Sequence, residues 1–111
     1  MKIKIKLTPD QFVWLVRIIQ DSHGQIDYRN KPLQFLNIGA FLQYGQKKVI
    51  DLKAMYKMIM PPKPKTFTID INQFTAICYV FNELDRTDEL DSYCIALYET
   101  IKQQVKDLAQ C

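Results

Sequence analysis

Three lysines alternate with apolar residues near the start of the chain, in the stretch KIKIKL at residues 2–7. Successive side chains of a strand point to opposite faces, so Lys2, Lys4 and Lys6 are predicted to share one face. Such a row of cations can bind the phosphates of a nucleic acid. It can equally face water and protect an exposed strand from pairing with other chains.

A second basic group lies in the middle of the sequence, where Asp51 is the single acidic residue between residues 47 and 65. Tyr44 and Tyr56 lie beside or among these cations. Aromatic rings interleaved with positive charges are typical of sites for single-stranded nucleic acids. A nucleic-acid-binding site, as the alternative function, would use Lys47, Lys48, Lys53, Lys57, Lys63 and Lys65.

Side chains that could catalyse a reaction or hold a metal are poorly grouped. Ser22 and His23 are adjacent, but no glycine-rich elbow or oxyanion motif accompanies them. The acidic stretch NELDRTDELD lacks the spacing and the glycine of a calcium loop. With a single histidine and no CxxC pair, the chain has no zinc pattern. We therefore predict that the protein is not an enzyme and has no metal or cofactor.

The cysteines and the apolar runs bear on the cellular location. Cys78 and Cys94 are expected to be core thiols and Cys111 a terminal one, as in a reducing compartment. No apolar run approaches the ~20 residues of a membrane-spanning helix. The lysines near the N-terminus also interrupt the apolar run that a signal peptide needs. We expect a cytoplasmic protein that contacts neither a membrane nor a small-molecule substrate.

The elements that position these residues follow from two similar stretches, LTPDQFVWLVRII and IDINQFTAICYVF, which begin 62 residues apart. In each, an N-cap residue type (Thr8 or Asp70) precedes a glutamine (Gln11 or Gln73) by three positions, as in a capping box. Apolar residues then recur with helical spacing, and an alternating stretch typical of a strand comes before each cap. The sequence predicts two β-α-α units, related by an internal duplication, whose strands are neighbours.

The predicted fold is a single, mostly helical α+β domain that covers residues 1–111 and contains a small two-stranded sheet. The first β-α-α unit spans residues 1–60 and contains an extra helix. A connector rich in proline and lysine covers residues 61–65, and the second unit covers residues 66–111.

Two helix boundaries are predicted from local signals. Gly45 is interpreted as the glycine that ends the second helix, so that the extra helix is a separate element from about residue 48 to residue 60. Thr87 or Asp88 is interpreted as the N-cap of the last helix.

Charge is unevenly divided along the chain. Residues 1–65 carry a net charge of +8 and residues 66–111 a net charge of −5, within a total of +3. This asymmetry is a hint of a side that faces a polyanion. However, the second strand has Thr66 and Thr68 at the places that lysines occupy in the first. This difference favours a solvent face over a nucleic-acid surface for the lysines.

Several helices carry apolar residues over a wider arc than one core contact needs, so they are either central in the core or part of an interface. A two-stranded sheet is also marginal on its own, so either the helices cover it well or strands of two copies pair. The second alternative suggests a homodimer. We therefore predict a non-catalytic protein–protein interaction or assembly protein (a structural subunit, adaptor or inhibitor) that self-associates as a homodimer. The alternative is a nucleic-acid-binding accessory protein. The predicted partner interface consists of Trp14, Ile18, Phe35, Ile38, Leu42 and Met58.

Overall fold

The computed structural model of the protein describes residues 1–56, 63–87 and 90–105, with backbone alone for residues 53–56. It confirms the mostly helical α+β class, while the internal duplication stays a prediction. Within the described residues, no helix combines the length and the apolar character that crossing a membrane requires. The elements, with a short 3-10 turn at His23–Gln25 between the first two helices, are β1 (Lys2–Leu7), α1 (Pro9–Ser22), α2 (Pro32–Tyr56), β2 (Lys65–Asp70), α3 (Ile71–Arg86) and α4 (Ser92–Gln104).

The two strands form an antiparallel pair in which Lys2 lies opposite Asp70 and Leu7 lies opposite Lys65. Every second residue of β1 is buried, beginning with Ile3, and the lysines between them are exposed. The same alternation in β2 buries Phe67 and Ile69. The sheet therefore has one apolar face, which the helices cover, and one open polar face, as the alternation in the sequence predicts.

Aromatic rings join the apolar face of the sheet to the helices. The ring of Phe12 on α1 stacks on that of Phe67 on β2, with centroids 4.0 Å apart and planes only 4° from parallel. Phe12 also meets Phe41 and Tyr44 of α2 edge to face. Complete burial of a side chain of this size contributes about 1.5–3 kcal/mol. Phe12 therefore holds the sheet, α1 and α2 together at one point.

The N-caps of α1 and α3 lie where the sequence predicts them. Thr8 and Gln11 form the full capping box, because each side chain accepts a hydrogen bond from the backbone N–H of the other. Asp70 caps α3 by accepting from the N–H of Asn72 at 2.9 Å, rather than through a reciprocal pair with Gln73. Both caps fix the direction in which the chain leaves a strand and enters a helix.

The prediction that Thr87 caps the last helix is wrong, and its other candidate, Asp88, lies outside the described residues. The Thr87 hydroxyl donates back to the carbonyls of Glu83 and Leu84, so this residue belongs to the end of α3. The cap of α4 is Asp91, which accepts from the N–H of Cys94 at 2.8 Å. That hydrogen bond favours the ionised carboxylate, and it lowers the pKa of Asp91 below its usual value.

The predicted helix end at Gly45 is also wrong, because α2 runs without a break for 25 residues through this glycine. The residues predicted as a separate helix continue α2 as far as Tyr56, and residues 57–60 lie outside the described residues. Gly45 is buried where α1 crosses α2, and a Cβ there would lie 2.7 Å from Cγ2 of Val16. The glycine therefore permits a close approach of two helices instead of ending one.

The cysteines differ in state. Cys94 is a half-buried free thiol, and burial together with its hydrogen bond to Asp91 raises its pKa to about 11. Cys78 is buried and disulfide-bonded. The expectation of a core thiol is therefore wrong for Cys78.

We expect Gly45→Ala to lower the free energy of unfolding by about 1–2 kcal/mol. Overpacking against the stiff, buried Val16 side chain costs about 1–3 kcal/mol, and the better helix propensity of alanine returns up to about 1 kcal/mol. Gly39→Ala is the matched control in the same helix, because an added Cβ there meets nothing within 4 Å. It should raise stability by about 0.5–1 kcal/mol. Urea unfolding at one low protein concentration measures both variants, and equal stabilisation would contradict the close approach at Gly45.

Candidate functional site

The structure separates the residues of the predicted partner interface. Trp14 is 44% exposed and Phe35 is also exposed. Ile18, Ile38 and Leu42 are buried in the core of the chain itself, where a partner has no access to them. The remaining candidate, Met58, lies outside the described residues. The two exposed residues lie on different helices, and each belongs to a separate surface.

The first surface joins α1 to α4 and is called the aromatic surface here; it consists of Trp14, Arg17 and Tyr93. The Trp14 and Tyr93 rings have centroids 5.6 Å apart and are inclined at 56°. The guanidinium of Arg17 lies 5.7 Å from the Trp14 ring centroid, within the range of a cation–π contact. Burial, followed by the charge of Asp10, raises the pKa of the Tyr93 hydroxyl. An acidic and a basic residue therefore border two exposed aromatic rings.

The sequence could not place Tyr93 in this surface. Its position depends on where α4 begins, and Asp91 rather than an earlier residue is the cap. With that cap, Tyr93 falls in the first turn of α4. The DSYC stretch, an N-cap residue type before an apolar helix, is the signal that could have identified it.

The second surface lies along the N-terminal half of α2 and is called the α2 surface; it consists of Leu33, Phe35, Leu36, Gly39 and Ala40, all exposed. A cleft of about 340 Å³ opens beside the two small residues, and the side chains of His23 and Gln43 line it as well. The sequence contains no charged residue from position 32 to position 46.

Two residues of α2 that are predicted for the partner interface, Ile38 and Leu42, belong to the side of the helix that packs in the core. The buried stripe runs through Ile38, Leu42, Gly45 and Leu52, a spacing that continues past the glycine. A helix that ended at Gly45 would contain only part of this stripe. The shorter helix has apolar residues on two sides, and its sequence does not indicate which side is buried.

The lysines of β1 form the third surface, the lysine face, which consists of Lys2, Lys4 and Lys6. All three are exposed on the open side of the sheet, and the ammonium of Lys2 lies 4.0 Å from the Asp70 carboxylate. On α2, the ammonium of Lys48 lies 5.9 Å from the Tyr44 ring centroid.

Tyr44 itself reaches the edge of β2. Burial raises the pKa of its hydroxyl, and the neighbouring backbone N–H of Thr68 partly offsets that rise. Lys48 lies one helical turn further along α2, with its ammonium near the Tyr44 ring.

The other lysines of the basic segment are more scattered. Lys47 and Lys63 are exposed, while Lys65 is half-buried at the start of β2. The side chains of Lys53 and Lys57 lie outside the described residues. The described part of the chain also holds no group of three or more His, Cys, Asp or Glu side chains arranged for a metal ion.

Helix side chains occupy the open edges of the sheet at two places. The N–H of Lys6 donates to Oε1 of Gln104 at 2.6 Å, and Nε2 of Gln104 donates to the carbonyl of Lys6 at 2.8 Å. The amide thus bonds to β1 as a neighbouring strand would, while Tyr44 lies at the edge of β2. A strand from a second copy could pair with β1 at Lys6 only after displacing Gln104.

Comparisons with known proteins do not assign the chain to a family. No family model and no curated protein matches the chain, and no solved structure matches it. The candidate functional site is therefore defined by the aromatic surface, the α2 surface and the lysine face.

We expect Gln104→Ala to expose the edge of β1. Loss of both hydrogen bonds should speed hydrogen exchange of the Lys6 amide by about tenfold and lower the free energy of unfolding by about 1 kcal/mol. Gln103→Ala, one position earlier on an exposed part of the same helix, is the control and should change neither quantity. Amide exchange followed by NMR measures the effect. Equal exchange rates at Lys6 in the two variants would show that Gln104 does not protect this edge.

Proposed function

We propose that the protein is a non-catalytic protein–protein interaction or assembly protein, which acts as a structural subunit, an adaptor or an inhibitor. The observation that supports this function is the aromatic surface. Trp, Tyr and Arg are the residue types most enriched among the residues that dominate binding energy at protein interfaces. Here one of each type, Trp14, Tyr93 and Arg17, is clustered on exposed helix surface.

Energetics favour this surface as a binding site. A Trp or Tyr side chain buries about 150–250 Å² when covered. With Trp14 44% exposed, covering its remaining area contributes on the order of 2 kcal/mol at about 25 cal/mol per Å². Both rings project from helices that pack on the core, so little side-chain entropy is lost when a partner binds.

The charged residues around the two rings indicate which side chains a partner would place opposite them. Arg17 is exposed beside Trp14, and Asp10 is near Tyr93. Interfaces commonly have an apolar centre with a polar rim. We therefore propose a protein partner that covers the two rings with apolar side chains and places a carboxylate opposite Arg17.

The lysine face supports a second candidate, a nucleic-acid-binding accessory protein. Its three lysines repeat about every 6.8 Å along β1, the distance that two residues span in a strand. Thr66 and Thr68 lie beside them on the open face of β2 and can donate hydrogen bonds to phosphate. Lys48, whose ammonium lies near the ring of Tyr44, is a further exposed cation on α2. The nearby Asp70 carboxylate counts against a phosphate at Lys2.

The cellular location stays a prediction. Its basis is the sequence, which predicts a cytoplasmic protein. The disulfide at Cys78 counts against a reducing compartment, because disulfides persist mainly in oxidising ones.

Trp14→Ala should weaken binding of the protein partner by about 30-fold, which corresponds to about 2 kcal/mol at a residue that dominates the interface. Ile95→Ala is the control, because Ile95 lies on α4 and is 45% exposed, close to the value for Trp14. Partners would be isolated by affinity purification from cells that express the protein, and titration calorimetry with the purified partner would measure each affinity. Equal affinities of the two variants would refute binding through the aromatic surface.

Fluorescence anisotropy with labelled single- and double-stranded DNA at ~50 and ~200 mM salt tests the second candidate. Nucleic-acid binding through the sheet predicts micromolar affinity that falls steeply with salt. Lys4→Glu should then weaken binding and reduce the salt slope by about 1. Lys31→Glu, an exposed lysine between the 3-10 turn and α2, is the charge-matched control. Absence of binding at the lower salt would exclude this candidate.

A further inference from the structure

We propose that the α2 surface is the contact between two copies of this chain, which cross antiparallel about a two-fold axis between Leu36 and Ala40. This inference rests on the proposed function, since it specifies the surface through which the protein assembles with itself. It is distinct from the aromatic surface, which is left free for a different protein.

The α2 surface contains both halves of a self-complementary contact. Leu33 and Leu36 project from it, and Leu36 is 65% exposed. A few residues further along lie Gly39 and Ala40, where the cleft of about 340 Å³ opens. A Cβ added at Gly39 would meet nothing within 4 Å, so space is present above the helix backbone. The surface thus has a projecting part and a receiving part on one helix.

Helix geometry brings these two parts together across a two-fold axis. Leu36 and Ala40 are four residues apart, so they lie on the same side of α2 and about 6 Å apart along its axis. In an antiparallel pair with the axis midway between them, Leu36 of each copy faces Ala40 of the other. Each contact then occurs twice, as a two-fold interface requires. The small residues also allow the two helix backbones to approach closely.

The charge distribution favours a second copy over a charged partner. Near a two-fold axis every residue lies close to its own counterpart, so a charge there would face a like charge. The α2 surface belongs to a stretch of 15 residues, 32–46, that contains no charged side chain. Further along the same helix, Lys47, Lys48 and Asp51 are exposed to solvent. The uncharged part of α2 thus includes all the residues that would meet the second copy.

The loop before α2 supplies the polar rim and the remaining area. A specific interface of ordinary size buries about 800 Å² on each partner, more than five residues of one helix provide. Tyr28 packs edge to face on Phe35, with ring centroids 5.4 Å apart, so the loop adjoins the α2 surface. The exposed ion pair of Asp27 and Arg29, 2.8 Å long, lies in the same loop. This arrangement has the apolar centre and charged border of protein interfaces.

The strand edges are a weaker route to a dimer. Gln104 already bonds to β1 at Lys6, and Tyr44 lies beside Thr68 on β2. A dimer formed through the strands would have to displace these side chains. The α2 surface needs no such rearrangement.

Sedimentation equilibrium of the full chain, from low to high micromolar concentration, tests the inference. We expect the wild-type protein to form a dimer, and Leu36→Glu and Gly39→Glu to weaken the dimer at least tenfold. Gly39→Glu has open space around the new side chain, so it should retain the fold. Ile50→Glu is the matched control, since Ile50 lies on the same helix, about one turn beyond the uncharged stretch, and is 68% exposed. It should dimerise as the wild type does. Circular dichroism verifies that all variants are folded.

A wild-type protein that is monomeric at all concentrations would overturn the inference, and so would a dimer that survives both substitutions. The affinity for the partner that binds the aromatic surface is measured separately in Leu36→Glu. Unchanged affinity together with a monomeric wild type would leave the proposed function standing and refute the α2 dimer alone. Loss of partner affinity in Leu36→Glu with a monomeric wild type would instead assign the α2 surface to that partner.

Discussion

The stacking of Phe12 on Phe67 is the contact on which the rest of the fold depends. A two-stranded sheet cannot stabilise itself in water, because it has one apolar face and two unpaired edges. Phe12 covers the apolar face and ties it to α1, while Phe41 and Tyr44 bring α2 to the same ring. This placement of the helices also brings Gln104 to the edge of β1 and Tyr44 to the edge of β2.

Because the helices are arranged to cover so small a sheet, their inner faces are used in the core and part of their apolar surface remains outside. Trp14 lies on α1 only four residues before the buried Ile18, yet it is 44% exposed, and its ring contacts Tyr93 and Arg17. The exposed apolar residues are therefore grouped on the helices rather than on the open face of the sheet. This grouping is the basis of the proposed function in protein binding.

Elements with a strictly local cause were predictable from the sequence. The alternation of buried apolar residues and exposed lysines in β1 depends on residues close together in the chain, and so does the capping box of Thr8 and Gln11. The role of Gly45 was not predictable, because it depends on Val16 of another helix. The N-cap of α4 was missed because several acidic residues near Asp91 offered competing caps. The exposed side of α2 was not predictable for the same reason. With the helix end wrongly placed at Gly45, the apolar spacing did not distinguish the buried side of α2 from the exposed side.

The length of α2 explains why one of its faces lacks a packing partner among the described residues. A helix of 25 residues is about 37 Å long, whereas a strand of six residues spans about 20 Å. The sheet therefore cannot cover the whole helix, and α1 and α3 pack against its inner side only. Solvent alone would tolerate charged residues on the outer side, as it does at Lys47 and Asp51. The absence of charge from residues 32–46 therefore supports the proposed contact between two copies.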